Sequence, residues 1–212
     1  MIKIHHLADS RSTKILWLLE ELGLDYEIVP YPRYKGNLAP PELKAVHPLG
    51  KSPVIEDGRR TIAESGAIVE YLVESYGEGR LKPAKGTDDW ARYLQWLQIP
   101  ESSVMLPLIL AIYVEMLGEA GKPLHPRVHA EVKNHLDFMA AELEGRDFIV
   151  GNDLTGADFQ VTFTLESAMS NNKLDDYPTL RAYVARMQAR PAYRRALEKG
   201  GSYDLRRLFG AR

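Results

Sequence analysis

Residues 2–6, Ile-Lys-Ile-His-His, alternate in polarity and predict a first strand. Residues 12–22 change to helical spacing. Ile15, Leu16, Trp17, Leu18, Leu19 and Leu22 leave little polar face, so this helix should be mostly buried. Gly23 suits the position just past its end. A second short strand is expected over 26–29. Pro30, Pro32, Gly36, Asn37, Pro40 and Pro41 then mark an irregular stretch, with one turn of helix near 42–46. Val54-Ile55-Glu56 reads as a strand, Asp57-Gly58 as a hairpin turn and 60–62 as the return strand. From Ser65, Ile68, Val69, Leu72 and Val73 share a helical face, and Gly77 and Gly79 end it.

The polar stretch 77–87 is the best boundary in the chain. Beyond it no strand pair is predicted. Residues 88–118 read as a long helix or helix pair kinked at Pro100 and Pro107. Val128, Val132, Leu136, Met139 and Leu143 predict a helix over 126–144, followed by a short extended piece at 148–151. Thr155-Gly156-Ala157-Asp158 has the form of a capping box, a structural element. Tyr177-Pro178 opens another helix, Arg190-Pro191 breaks it, and a last short helix runs to about Lys199. The expected fold is α/β plus all-α: a β-α-β-α-β-β-α domain over 1–78, a linker over 79–87, and a helical bundle domain over 88–212.

Composition narrows the chemistry. The 212 residues are 45% hydrophobic and 26% charged, and the net charge is -2 without like-charge blocks. Neither a nucleic-acid surface nor an anionic membrane is suggested as partner. No run reads as long or apolar enough to span a bilayer, and no signal peptide is visible, so the expected location is cytoplasmic. Cysteine is absent. Disulfides, thiolate metal sites and a cysteine nucleophile are therefore excluded, and any sulfur chemistry must use the sulfur of a ligand. His5, His6, His125, His129 and His135 form no metal-ligand spacing, and no metal is expected. Trp90, Trp96, Tyr93, Phe138 and Phe159 are read as core or interface aromatics.

One stretch invites a functional reading. Asp9-Ser10-Arg11-Ser12 lies between the first strand and the first helix, and a helix N-terminus carrying hydroxyls is suited to an anion. The chain resembles the cytosolic glutathione S-transferase family, in its serine-type, theta-like or bacterial-like form. Five features carry the resemblance: Ser10-Arg11-Ser12 before the apolar helix; His47-Pro48-Leu49-Gly50-Lys51-Ser52-Pro53-Val54; Glu64-Ser65-Gly66-Ala67-Ile68 with Tyr71-Leu72; Leu154-Thr155-Gly156-Ala157-Asp158; and Tyr177-Pro178 through Met187 to Arg190-Pro191-Ala192. Each is weak alone, but together they span nearly the whole chain in the family's order.

The resemblance implies a thioredoxin-like first domain that binds glutathione as co-substrate. A thiol with a pKa near ~8.5 is only a few per cent thiolate at neutral pH, and a donated hydrogen bond or a helix N-terminus favours the charged form. Ser10 is the implied catalytic hydroxyl, Ser12 is its competitor and the better N-cap by position, and Arg11 can stabilise the thiolate or line the pocket. The resemblance further implies a cis Ser52-Pro53 bond presenting the Ser52 backbone to the ligand's cysteinyl group. Lys51 and His47 become partners for the glycyl carboxylate, and Glu64 and Ser65 partners for the γ-glutamyl ammonium and carboxylate. An electrophile pocket is expected between residues 7–11 and the kinked helix at 101–116, with Met105, Ile109 and Tyr113 as lining candidates. A homodimer is also implied.

The implied activity is transfer of glutathione to hydrophobic electrophiles, a detoxification chemistry. A glutathione-dependent disulfide reductase or peroxidase, which needs no protein cysteine, and a non-catalytic transferase-fold binding module are the alternatives. The family's isomerases carry a serine-cysteine cluster that this chain lacks.

Overall fold

A computed structural model describes residues 1–34, 38–201 and 203–206. The Gly36 and Asn37 breaker signals lie outside the described residues. The chain forms two compact units, Met1–Lys82 with Met187–Arg212, and Pro83–Arg186. The helix at Pro191–Gly200 groups with the first unit, whereas the sequence reading carries the helical domain from 88 to 212. Ion pairs described below and the packing of Trp17 against Tyr193 join it to the helix at Ser12–Leu22.

The first unit contains β1 (Ile2–Leu7), α1 (Ser12–Leu22), β2 (Tyr26–Tyr31), α2 (Leu43–Val46), β3 (Val54–Asp57), β4 (Arg60–Ala63) and α3 (Ser65–Tyr76). The four strands form a sheet in the order β2-β1-β3-β4. β1 is parallel to β2 and antiparallel to β3, and β3 and β4 form the hairpin around Gly58. β2 runs through Pro30 to Tyr31, two residues beyond the predicted end. It is an edge strand, where a residue without an N–H is tolerated.

α1 is buried along nearly its whole length, as its composition demands, and Gly23 closes it at φ +70°. α1 packs on β1 and α3. Its other neighbour is α9 (Pro191–Gly200), and charge secures that contact. Glu21 accepts from Arg190 at 2.6 and 3.2 Å and from Trp17 Nε1 at 3.0 Å. Glu20, itself buried, accepts from Arg195 at 2.7 Å, from the Tyr26 hydroxyl at 2.7 Å and from Lys199. Burial pushes the Glu20 carboxyl up, but the bonds from Lys199, Tyr26 and Arg195 outweigh it and bring its pKa down to about 2.

The second unit holds α4 (Asp88–Ile99), a π-helical turn at Pro100–Val104, α5 (Met105–Met116), a 3-10 segment at Gly118–Leu124, α6 (His125–Leu143), α7 (Gly156–Ser170) and α8 (Pro178–Gln188), which ends just across the division. The predicted kink at Pro100 takes the form of the π turn, and Pro107 follows in α5 within the same unbroken helical run. The run Asp88–Met116 is 29 residues and, by length and composition, long and apolar enough to cross a membrane. This corrects the sequence reading, which found no such run. Tyr93, Trp96, Leu97, Val104, Met105 and Leu108 of that run are buried within the folded chain, as in a core helix.

α7 is buried from Gly156 to Ala168 and forms the centre of this unit. Its capping box is present. Asp158 accepts from the Thr155 N–H at 2.8 Å, the Thr155 hydroxyl at 3.0 Å, the Ile149 N–H at 3.0 Å and the Tyr183 hydroxyl at 2.7 Å. Burial pushes its carboxyl up, and these four bonds pull the other way.

Two stability predictions follow from these carboxylates. The Glu20 pKa is depressed from an ordinary 4.5, so its contribution is complete above that pH and is lost as pH falls toward 2. Solvent at the Arg195 and Lys199 ends screens it to about 1–2 kcal/mol. Urea unfolding of Glu20→Gln should therefore converge on wild type between pH 5 and about 2.5, and parallel curves would contradict the clamp. Asp158→Ala orphans four donors and should cost about 3 kcal/mol or more in the same assay. A loss under about 1 kcal/mol would remove its structural role.

Candidate active site

Strand register brings the chemistry-bearing residues to one end of the sheet. His5 pairs with Val54, and Val54 with Ala63. The C-terminal end of β1, the Ser52-Pro53 step before β3 and the Glu64-Ser65 step after β4 are therefore neighbours. α1 and α3 both start at this end, so two helix N-termini add positive potential to it.

Ser10 lies in the turn between β1 and α1. Asp9 before it adopts φ +53°, a left-handed conformation that aspartate tolerates better than most residues. Arg33 holds the turn by donating to the carbonyls of Ala8 and Asp9, at 2.8 Å for the first. The Asp9 carboxylate accepts from the Asp204 N–H at 2.6 Å. Ser10 Oγ accepts from the Ser12 N–H at 3.2 Å and lies 2.8 Å from Ser12 Oγ.

Ser12 is not the N-cap. Arg11 occupies that position without a side-chain cap bond, and Ser12 is the first residue of the helix. Its hydroxyl turns back to β1, 2.8 Å from His6 Nδ1, 3.2 Å from the Leu7 carbonyl and 3.3 Å from the Leu7 N–H. The strand end offers more partners than the open helix turn does. Ser12 is 0% exposed, whereas Ser10 is 8% exposed. Arg11 is half-buried.

The Leu7 N–H also reaches Ser52 Oγ at 3.3 Å, and that hydroxyl donates to the His5 carbonyl at 2.8 Å. Ser12 and Ser52, 40 residues apart in sequence, thus share one donor on β1. The Ser52-Pro53 bond is cis, and Pro53 is buried. Lys51 is exposed and His47 half-buried, and the His47 Nδ1 accepts from the Leu49 N–H at 3.4 Å.

Glu64 is exposed and caps α3 with φ +69°, a strained value for a non-glycine residue. Its carbonyl accepts from Ile68 at 2.9 Å, while Ser65, the first residue of α3, is buried. In the second unit, Met105 is buried, Ile109 half-buried and Tyr113 exposed. Among the described residues no group of three or more His, Asp or Glu side chains could hold a metal ion.

Four residues of this site escaped the sequence reading: His6, Arg33, Gly200 and Asp204. Only His6 carried a signal. It continues the Ile2, Ile4 face of β1, and a polar residue at a buried strand position needs a partner.

Comparison with known proteins gives the arrangement a family. Residues 1–74 match the model of the glutathione S-transferase N-terminal domain, and residues 102–191 that of the C-terminal domain. The chain is 31% identical to glutathione S-transferase 1 of Saccharomyces cerevisiae, covering 94% of this chain and 95% of the relative. It is 34% identical to glutathione S-transferase 3 of Schizosaccharomyces pombe, covering 94% and 88%. A solved glutathione S-transferase from Actinobacillus pleuropneumoniae superposes with a TM-score of 0.89 at 39% identity, over 99% of both chains. A sphingomonad glutathione S-transferase solved in complex with glutathione gives 0.77 at 27% identity, over 94% and 98%. With both family domains in order and relatives matched over nearly their full length, the chain belongs to the glutathione S-transferase family and is an enzyme of that kind.

Proposed function

We propose that this transferase binds glutathione at the end of the sheet where β1, the Ser52-Pro53 step and the Glu64-Ser65 step converge. There it stabilises the thiolate with the Ser10 hydroxyl and transfers it to hydrophobic electrophiles. The observation that carries this reading is the difference between the two serines. Ser12 Oγ is fully buried and surrounded by four polar atoms of the protein, which leaves Ser10 as the hydroxyl with room for a ligand atom. A hydroxyl donating to sulfur, beside the positive end of α1, lowers a thiol's pKa by favouring its charged form. Arg11 adds positive charge beside it.

The remaining contacts follow the ligand's groups. The Ser52 backbone, in the cis Ser52-Pro53 step, meets the cysteinyl amide by short β-addition. Lys51, aided by His47, meets the glycyl carboxylate. The Ser65 hydroxyl and N–H, at the start of α3, meet the γ-glutamyl carboxylate, and the Glu64 carboxylate meets its ammonium. Met105, Ile109 and Tyr113 are assigned to the electrophile, whose apolar character suits a methionine-containing wall. We further assign the family's two domains to 1–78 and 88–212 around the linker 79–87. A homodimer acting in detoxification in the cytoplasm completes the proposal.

The protein should be retained on immobilised glutathione, be released by free glutathione, and melt higher in millimolar glutathione. Absence of all three would contradict the reading. Ser10→Ala should leave retention intact, raise the pH at which bound thiolate absorbs in the ultraviolet, and lower kcat/KM about 10- to 100-fold, the worth of one hydrogen bond to a charged group. Ser12→Ala should give the smaller thiolate shift and the larger loss of stability, about 1–3 kcal/mol. The reverse order would make Ser12 the partner of the sulfur.

A further inference from the structure

Behind Ser10 lies a line of hydrogen bonds that ends on the last turn of α9. Ser10 Oγ is 2.8 Å from Ser12 Oγ, Ser12 Oγ is 2.8 Å from His6 Nδ1, and His6 Nε2 is 3.0 Å from the Gly200 carbonyl. His6 is 4% exposed. A carbonyl only accepts, so Nε2 carries a hydrogen. Burial lowers the His6 pKa, against the Gly200 bond and the Asp9 carboxylate, so the ring is neutral at pH 7 and Nδ1 is a bare acceptor.

The directions of the other bonds follow. Ser12 has one proton to give. Nδ1 at 2.8 Å is a closer acceptor than the Leu7 carbonyl at 3.2 Å, so the Ser12 hydroxyl donates to His6. Ser12 Oγ then accepts from the Leu7 N–H and from the Ser10 hydroxyl. Ser10 Oγ, which accepts from the Ser12 N–H, keeps a second lone pair. Every hydroxyl in the resting line donates inward.

The position of His6 is built in. Gly200 approaches so closely that a Cβ there would lie 2.7 Å from Leu16 Cδ1 and 3.4 Å from His6 Nε2. Among the described residues, three elements bring polar groups to the ring. The turn after β1 contributes the Asp9 carboxylate, α1 the Ser12 hydroxyl and α9 the Gly200 carbonyl. Lys199 on α9 is turned to Glu20, and Arg33 holds the Ala8 and Asp9 carbonyls.

We propose that His6 is a positioning residue and proton acceptor that acts on bound glutathione through Ser12 and Ser10. This rests on the glutathione reading above. In the step, the S–H bond breaks as its proton passes to Ser10 Oγ. The Ser10 proton passes to Ser12 Oγ, and the Ser12 proton to His6 Nδ1. Sulfur keeps the electron pair. Both hydroxyls are regenerated, now donating outward, Ser12 to Ser10 and Ser10 to the thiolate. The Asp9 carboxylate and the thiolate offset the imidazolium charge. Once a thioether has replaced the thiolate the line reverses: His6 returns its proton to Ser12, Ser12 gives its own to Ser10, and the outward proton of Ser10 leaves to water or to the group departing from the electrophile.

The test is histidine ring nitrogen NMR on the intact protein, with His6 assigned by its loss in His6→Asn. Glutathione should raise the His6 pKa by about one unit, the attraction expected of a thiolate two hydroxyls away. S-methylglutathione, which has no ionisable thiol, should not. His6→Asn keeps a polar partner for Ser12 but takes up no proton, so kcat should fall about tenfold while the KM for glutathione stays within about twofold. An equal His6 pKa with both ligands bound, or wild-type kcat in His6→Asn, would overturn the relay while leaving the glutathione reading in place. Failure of wild type to bind either ligand, seen as unmoved Ser52 and Ser65 amide signals, would overturn the glutathione reading itself and the relay with it.

Discussion

Two adjacent carboxylates on α1 tie the helix at 191–200 into the first unit. Glu20 and Glu21 bind Arg195, Lys199 and Arg190, residues 169 to 179 positions further along the chain. Adjacent positions on a helix do not face each other, so the two side chains engage α9 on different sides of its contact with α1. The contact also has an apolar part, the edge-on packing of Trp17 against Tyr193 at 5.4 Å. The consequence for the site is positional. With α9 fixed along α1, its last residue brings a carbonyl to His6, and the following segment brings the Asp204 N–H to Asp9. The turn that carries Ser10 is thus held from both ends of the chain.

The placement of hydroxyls then divides labour among the serines. Ser12 and Ser52 spend their oxygens on the end of β1, through the shared Leu7 N–H and the His5 and His6 groups. They fix where the strand ends. Ser10 keeps its oxygen at the surface of this network. In a chain without cysteine, the function proposed above takes its reactive sulfur from the ligand and asks of the protein an electrostatic contribution: a donor, a helix N-terminus and a positioned turn. Preorganisation of that turn matters because a hydroxyl free to rotate toward other partners stabilises a thiolate less.

Much of this was legible in the sequence. The alternation at 2–6, the apolar helix ending at Gly23, the Asp57-Gly58 turn and the Thr155-Asp158 box each rest on local chemistry, and each element is present. Ser10 stands out at a strand–helix junction, whereas Ser52 and Ser65 are picked out by the family resemblance. Local pattern failed where distant chain decides. The capping role of Ser12 was misread because its oxygen finds better partners on β1 than on its own helix. The membrane-length character of 88–116 depends on the backbone passing Pro100 in a π turn and continuing as helix, which the kink signals alone do not show. The long-range ion pairs that seat 191–200 against α1 leave no mark in local pattern. His6 and Gly200, 194 residues apart, had no joint signature at all.

The central claim is that a ligand sulfur rests on Ser10 with Ser12 behind it. A crystal structure of the protein with glutathione bound tests it most directly. The sulfur should lie within hydrogen-bonding reach of Ser10 Oγ and beyond reach of Ser12 Oγ, with the Ser10–Ser12–His6–Gly200 line unbroken. A sulfur seated against Ser12, or turned away from both hydroxyls, would contradict the account.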